Sequence, residues 1–173
     1  LPLPMFHSYG ACGVQSVCFI GHNPIALVPN PRDLNDTVKT FTRVRPTIFC
    51  GVPTLYNALL THPDVKSSKA DFGSLRACVS GAAPLMAETK KRFEAATGAT
   101  IVEAYALTET LLAATINPIH GVQKLGSVGM PVSDVDVMIV DADDPMKILP
   151  AGEVGEICVY GPQIMRGYWN NPE

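Results

Sequence analysis

"LRACVSGAAPLMAETKKRFEAATGATIVEAY", residues 75–105, decides the fold. It opens on the apolar run "LRACVSG", crosses a stretch of small residues and enters the clearest helical pattern in the chain, "PLMAETKKRFEAATG". Pro84 stands at the start of that pattern and Gly98 at its end. Proline is tolerated in a first helical turn, and glycine accepts the left-handed residue that closes a last one. Leu85, Thr89, Phe93 and Ala96 line one side, and Glu88 is spaced to pair with Lys91 or Arg92. "ATIVEAY" follows as another apolar strand. Strand, helix, strand in near-continuous apolar runs is the pattern of a parallel sheet covered on both faces.

The same alternation extends upstream. "TIFCGV", 47–52, reads as a strand leading into the short helix "LYNALL", with Thr54 as its N-cap. Asp33 or Asn35 caps an earlier helix, in which Leu34, Val38 and Phe41 share a face, and Pro46 ends it. Ser8 to Ile20 is helical in character and closed by Gly21; "IALV", 25–28, reads as a short buried strand, and 62–73 as a polar loop. From about residue 118 the period changes: "DVDVMIVD" alternates, turn residues follow, and "GEICVYG" is a further strand. The expected fold is α/β, a flavodoxin-like parallel sheet with helices on both faces, followed by a short antiparallel β segment. Residues 1–117 form the α/β subdomain, and 118–173 belong to a second, β-rich one.

Composition narrows the chemistry. The 173 residues are 47% hydrophobic and 17% charged with a net charge of −3, which suits a globular chain and disfavours nucleic acid as a partner. Lys90-Lys91-Arg92 is the densest basic cluster and reads as a solvated helix face. Five cysteines without a CxxC pair read as reduced core thiols in a cytoplasmic setting, and the four histidines lack metal-ligand spacing. No apolar run is long enough to cross a membrane. A serine hydrolase elbow would need glycine at 78, where Cys78 stands, and no glycine pair suits GxGxxG.

In open α/β sheets ligands collect beyond the carboxyl ends of the strands. Two such ends stand out here. Ser80-Gly81-Ala82-Ala83-Pro84 offers small side chains and accessible peptide groups, although taken alone it reads first as an ordinary tight strand-to-helix turn. "EAYALTET", 103–110, sits between a strand and a helical-looking run, and sets an aromatic ring, a hydroxyl and a carboxylate within five residues. Tyr105 could stack on a purine, Thr108 could reach a phosphate, and Glu109 could hold Mg2+ beside phosphate oxygens. Equally, Tyr105 could be core, Thr108 or Thr110 a helix cap and Glu109 a solvated acid.

"SGAAPL" followed some twenty residues later by "EAYALTE" resembles the adenylate-forming superfamily of acyl-CoA synthetases, luciferases and peptide-synthetase adenylation domains. "LPLPMFHSYG" and "GEVGEICVYGPQIMRGYWNNPE" are similar to two further segments of that family. "NPRD", "GVPTLYNALL" and "GSVGMPV" resemble bacterial long-chain fatty-acid–CoA ligases in particular. The resemblance spans essentially the whole chain and implies ATP, AMP, Mg2+ and coenzyme A as ligands, with a fatty acid as substrate. It implies that Gly81, Ala82, Ala83 and Pro84 form one wall of the adenine pocket and Glu103, Ala104 and Tyr105 the other. Thr108 would contact the α-phosphate, Glu109 would bind Mg2+, and His7 would lie near the acyl carboxylate, so that His7, Thr108 and Glu109 carry the catalytic assignments. Gly126 and Gly129 would shape the acyl pocket.

Ala106 departs from the pattern, because the family has glycine after the tyrosine; a positive φ there would cost alanine about 1 kcal/mol. The start at Leu1 and the missing phosphate loop read as an excerpt that is inactive alone and prone to self-association through surface bared by truncation. The resemblance leaves peripheral membrane association of the parent open. The other readings are an aryl-CoA ligase, an adenylation domain and a non-catalytic nucleotide-binding module.

Overall fold

In the computed structural model, which describes residues 1–171, one five-stranded sheet organises the first three quarters of the chain. Strands β1 (Ile48–Gly51), β2 (Ala77–Ser80) and β3 (Thr100–Tyr105) run parallel in that order. The sheet then turns antiparallel with β4 (Thr115–Ile116) and β5 (Met130–Pro131), so its ladder continues past residue 118. A second sheet is the antiparallel pair β6 (Asp136–Val140) and β7 (Glu156–Tyr160). The helices are a π-helix (Tyr9–Ser16) running into α1 (Val17–Ile20), then α2 (Leu34–Val44), α3 (Pro53–Thr61), α4 (Pro63–Lys66) and α5 (Ala87–Thr97).

Register explains the core. Phe49, Cys78 and Ile101 stand side by side across β1, β2 and β3. All three enter one buried cluster with Val38 and Phe41 of α2, Tyr56 and Leu59 of α3 and Phe93 of α5. Five rings meet there edge to face, with centroid separations from 4.8 Å (Phe41–Phe72) to 6.2 Å (Phe72–Phe93), the arrangement the aromatic quadrupole favours. Side chains alternate along a strand, so Cys50 leaves β1 on the opposite side, the side of Tyr9 of the π-helix. Helices therefore cover both faces.

Several local expectations are corrected. Residues 25–28 are not a strand: only Val28 is buried, and its amide donates to the Leu1 carbonyl (3.1 Å) instead of joining a ladder. α3 begins at Pro53, which places its cap at Val52 and not Thr54, because proline belongs at the first helical position. α5 begins at Ala87 and not Pro84, since the Leu85 amide donates to a carboxylate from β3. Ala96 is exposed. Lys90 is no solvated residue: its side chain is 14% exposed, paired with Glu94 at 2.9 Å and bonded to Gln123 at 2.8 Å and to the Ile101 carbonyl. That pair replaces the anticipated one from Glu88. The region 62–73 holds the short helix α4, capped by the His62 ring accepting from the Asp64 amide. No helix among the described residues is long and apolar enough to cross a membrane.

Candidate nucleotide site

The two suspect strand ends lie next to each other because β2 and β3 are paired. Ser80, the last residue of β2, is in register with Glu103. The Glu103 carboxylate accepts the Leu85 amide at 3.0 Å, which fastens the far end of the Gly81–Pro84 loop to β3. Gly81 is buried, whereas Ala82, Ala83 and Pro84 are exposed and form the open rim of the loop. A Cβ on Gly81 would sit 3.3 Å from the Tyr9 ring, so this glycine makes room for Tyr9. Ala82 carries the positive φ of the loop (65°), and Ala106 is not among the residues with positive φ. The strain expected at Ala106 therefore falls on Ala82, where a left-handed alanine costs roughly 1–2 kcal/mol.

The second edge begins as β3 ends. Ala104 and Tyr105 pair with Ile116 and Thr115 of β4, and Tyr105 is half-buried. The helical-looking run after it is instead a set of turns built on Thr110, which is 2% exposed. Its hydroxyl accepts the Leu107 amide at 2.9 Å and lies 3.1 and 2.9 Å from the Leu107 and Leu112 carbonyls, its single proton serving one of them. A side chain that satisfies backbone groups in this way competes with helix formation. It leaves Thr108 exposed on the rim. Glu109 is held from a distance: the Tyr168 hydroxyl donates to its Oε1 at 2.7 Å, and its carbonyl accepts the Met165 amide at 2.9 Å. The phenol bond favours the ionised carboxylate and holds its pKa below the usual range.

One exposed, ionised carboxylate suits a hard cation that shares its coordination with phosphate oxygens. An all-protein cage is absent among the described residues, where no group of three or more His, Cys, Asp or Glu side chains forms. Gly129 has φ 91°, and a Cβ there would lie 2.1 Å from the Ile116 carbonyl carbon, so β4 needs glycine at that point. Gly126, φ 76°, faces open space. His7 makes local bonds: its ring accepts the Tyr9 amide at 3.1 Å, and its carbonyl accepts the Ala11 amide. The link from the N-terminal segment to the loop runs through Tyr9, whose hydroxyl donates to the Val79 carbonyl at 2.9 Å beside that of Tyr56 at 2.7 Å. Burial drives both phenols above their ordinary range and lifts the Cys50 and Cys78 thiols to about 11 and about 12.

Sequence reading missed Tyr9 and Tyr168. Both sit in quoted motifs, "HSYG" and "RGYWNN", yet their partners are 70 and 59 residues away. The roomier cleft, about 370 Å3, lies elsewhere, lined by Val65, Lys69, Asp71, Phe72, Ala96 and Thr97. Those residues precede β2 and end α5, at the amino ends of the strands, where this class of sheet does not place its ligands.

The AMP-binding enzyme family matches residues 1–169. A long-chain-fatty-acid–CoA ligase of Bacillus subtilis is 38% identical over 171 residues, covering 99% of this chain and 30% of the relative. A feruloyl-CoA synthase of Amycolatopsis is 33% identical over 98% of the chain and 34% of its own length. Among solved structures, ATP-bound MatB from Rhodopseudomonas palustris superimposes with a TM-score of 0.88 at 33% identity, over 99% of this chain and 33% of that one. The chain thus spans about a third of the length of the relatives it matches.

Proposed function

The chain belongs to the AMP-binding enzyme family, and from that membership we propose that it carries the nucleotide- and acyl-handling part of an ATP-dependent long-chain fatty-acid–CoA ligase. The observation that carries the reading is the Glu103–Leu85 bond, which joins the two motif-bearing strand ends into one edge. Adenine lies between the Ala82–Pro84 rim and Tyr105, with Glu103 and Ala104 behind the ring. Thr108, exposed on its turn, donates to the α-phosphate, and Glu109 holds Mg2+. Bound there, Mg2+ supplies charge neutralisation at the phosphate oxygens.

In the proposed reaction a fatty-acid carboxylate oxygen attacks the α-phosphorus, and pyrophosphate leaves. The coenzyme A sulfur then attacks the acyl carbonyl, and AMP leaves. These residues contribute by positioning, which can supply a large part of such a barrier. His7 is assigned to the acyl end, and Tyr9, two residues on and packed against Gly81, fixes where that segment crosses the loop. The 173 residues alone are proposed not to turn over.

The test is acid-dependent ATP–pyrophosphate exchange by a longer protein of the relatives' length that contains this chain. Exchange driven by long-chain fatty acids supports the reading, and exchange driven only by aromatic acids replaces it with an aryl-CoA ligase. The feruloyl relative is the reason to include aromatic acids. No exchange with either class leaves a nucleotide-binding module.

A further inference from the structure

Tyr168 and Glu109 are 59 residues apart, yet they share a 2.7 Å hydrogen bond at the rim of the candidate site. A second bond, from the Met165 amide to the Glu109 carbonyl at 2.9 Å, docks the same distant segment on the same residue. Between the two anchors stands Gly167 at φ 140°, a conformation side-chain-bearing residues rarely adopt. Its Cβ position meets nothing within 4 Å, so glycine is favoured there by the backbone angle and not by a clash. One short segment thus grips Glu109 by its backbone and by its carboxylate together.

Sequence patterns give Glu109 no reason for such a grip. A glutamate with a solvent-facing carboxylate ordinarily samples many rotamers, and fixing one costs side-chain entropy. A carboxylate already bonded through Oε1 has lost that freedom before any ligand arrives. We propose that Tyr168 is a positioning residue for Glu109, holding its carboxylate through Oε1 so that Oε2 meets the divalent cation that accompanies a bound nucleotide. The proposal rests on reading the Glu109 turn as a nucleotide edge. Tyr168 touches neither nucleotide nor metal and acts only through Glu109.

Mn2+ with a non-hydrolysable ATP analogue tests it on the 173-residue chain, with free Mn2+ followed by electron paramagnetic resonance. Tyr168→Phe keeps the ring and removes the donor. It should weaken Mn2+ binding to the protein–nucleotide complex about fivefold and leave metal-free nucleotide affinity unchanged. Tyr160→Phe, an exposed tyrosine on β7, should change neither. If Glu109→Gln weakens Mn2+ binding while Tyr168→Phe matches wild type or binds more tightly, the positioning role is overturned and the nucleotide edge stands. If Tyr168→Phe weakens metal-free nucleotide binding equally, Tyr168 is merely structural, which also overturns the proposal. If Glu109→Gln binds Mn2+ as wild type does, the reading of Glu109 fails and takes the proposal with it.

Discussion

The aromatic cluster beneath β1–β3 and the Glu109 turn at the end of β3 belong to one sheet and are held by opposite means. Beneath the strands, Phe41, Phe49, Tyr56, Phe72 and Phe93 are all buried, at most 6% exposed, and pack ring against ring. At the turn, order comes from one buried threonine hydroxyl and from two hydrogen bonds sent by a remote segment. Burial of rings is additive and tolerant of small shifts, whereas a hydrogen bond depends on angle and contributes about 1 kcal/mol net. The fold should therefore survive changes that disable the turn, and changes to the cluster should take both away.

Phe93→Ala breaks the comparison hardest. Phe93 is fully buried against Tyr56 and Phe72, and its loss should cost about 3–5 kcal/mol in urea unfolding. A loss below 1 kcal/mol would mean the cluster is not what holds the sheet. Gly129→Ala comes next, at about 3 kcal/mol, because it adds strain and a backbone clash at β4. Its effect should reach Tyr105 through the Thr115 pairing, seen as faster amide exchange there.

Alkali probes the buried side again. Cys50 and Cys78 keep their protons to about 11 and about 12 in the folded chain, while an unfolded thiol loses its proton near 8.5. The folded state thus binds more protons above that point, and stability falls as pH rises. Urea midpoints should be flat from about pH 6 to 8 and decline steadily beyond about pH 9. Tyr56→Phe should cost about 1 kcal/mol, since Tyr9 still donates to the Val79 carbonyl. Glu109→Gln has the smallest expected effect on stability, within about 0.5 kcal/mol, because the residue is only half-buried and the amide oxygen can still accept from Tyr168. A larger loss would show that the turn supports the fold after all.

Much of the architecture was legible because its signals are local. Apolar runs marked β1, β2 and β3, Gly98 at φ 73° closes α5 as its place in the sequence implied, and the alternation of "DVDVMIVD" gave β6. Two of the failures share a cause, which is a partner far along the chain. Leu85 stays out of α5 because Glu103 claims its amide, and Lys90 is drawn inward by Gln123. Thr110 differs: its partners Leu107 and Leu112 are local, and it is the burial of its hydroxyl that explains why no helix follows β3. For the site, spacing brought Gly81–Pro84 and Glu103–Glu109 to neighbouring strand ends, and nothing in the local pattern foretold that Tyr9 and Tyr168 would support them.

The central claim is that those two strand ends form one nucleotide edge. Backbone amide shifts of the 173-residue chain, recorded on titration with ATP and Mg2+, test it most directly. The account predicts that Ala82, Ala83 and Tyr105 through Glu109 move together in one saturable event. Shifts confined to Lys69–Gly73 and Ala96–Thr97, around the larger cleft, or no shifts at saturating nucleotide, would contradict it.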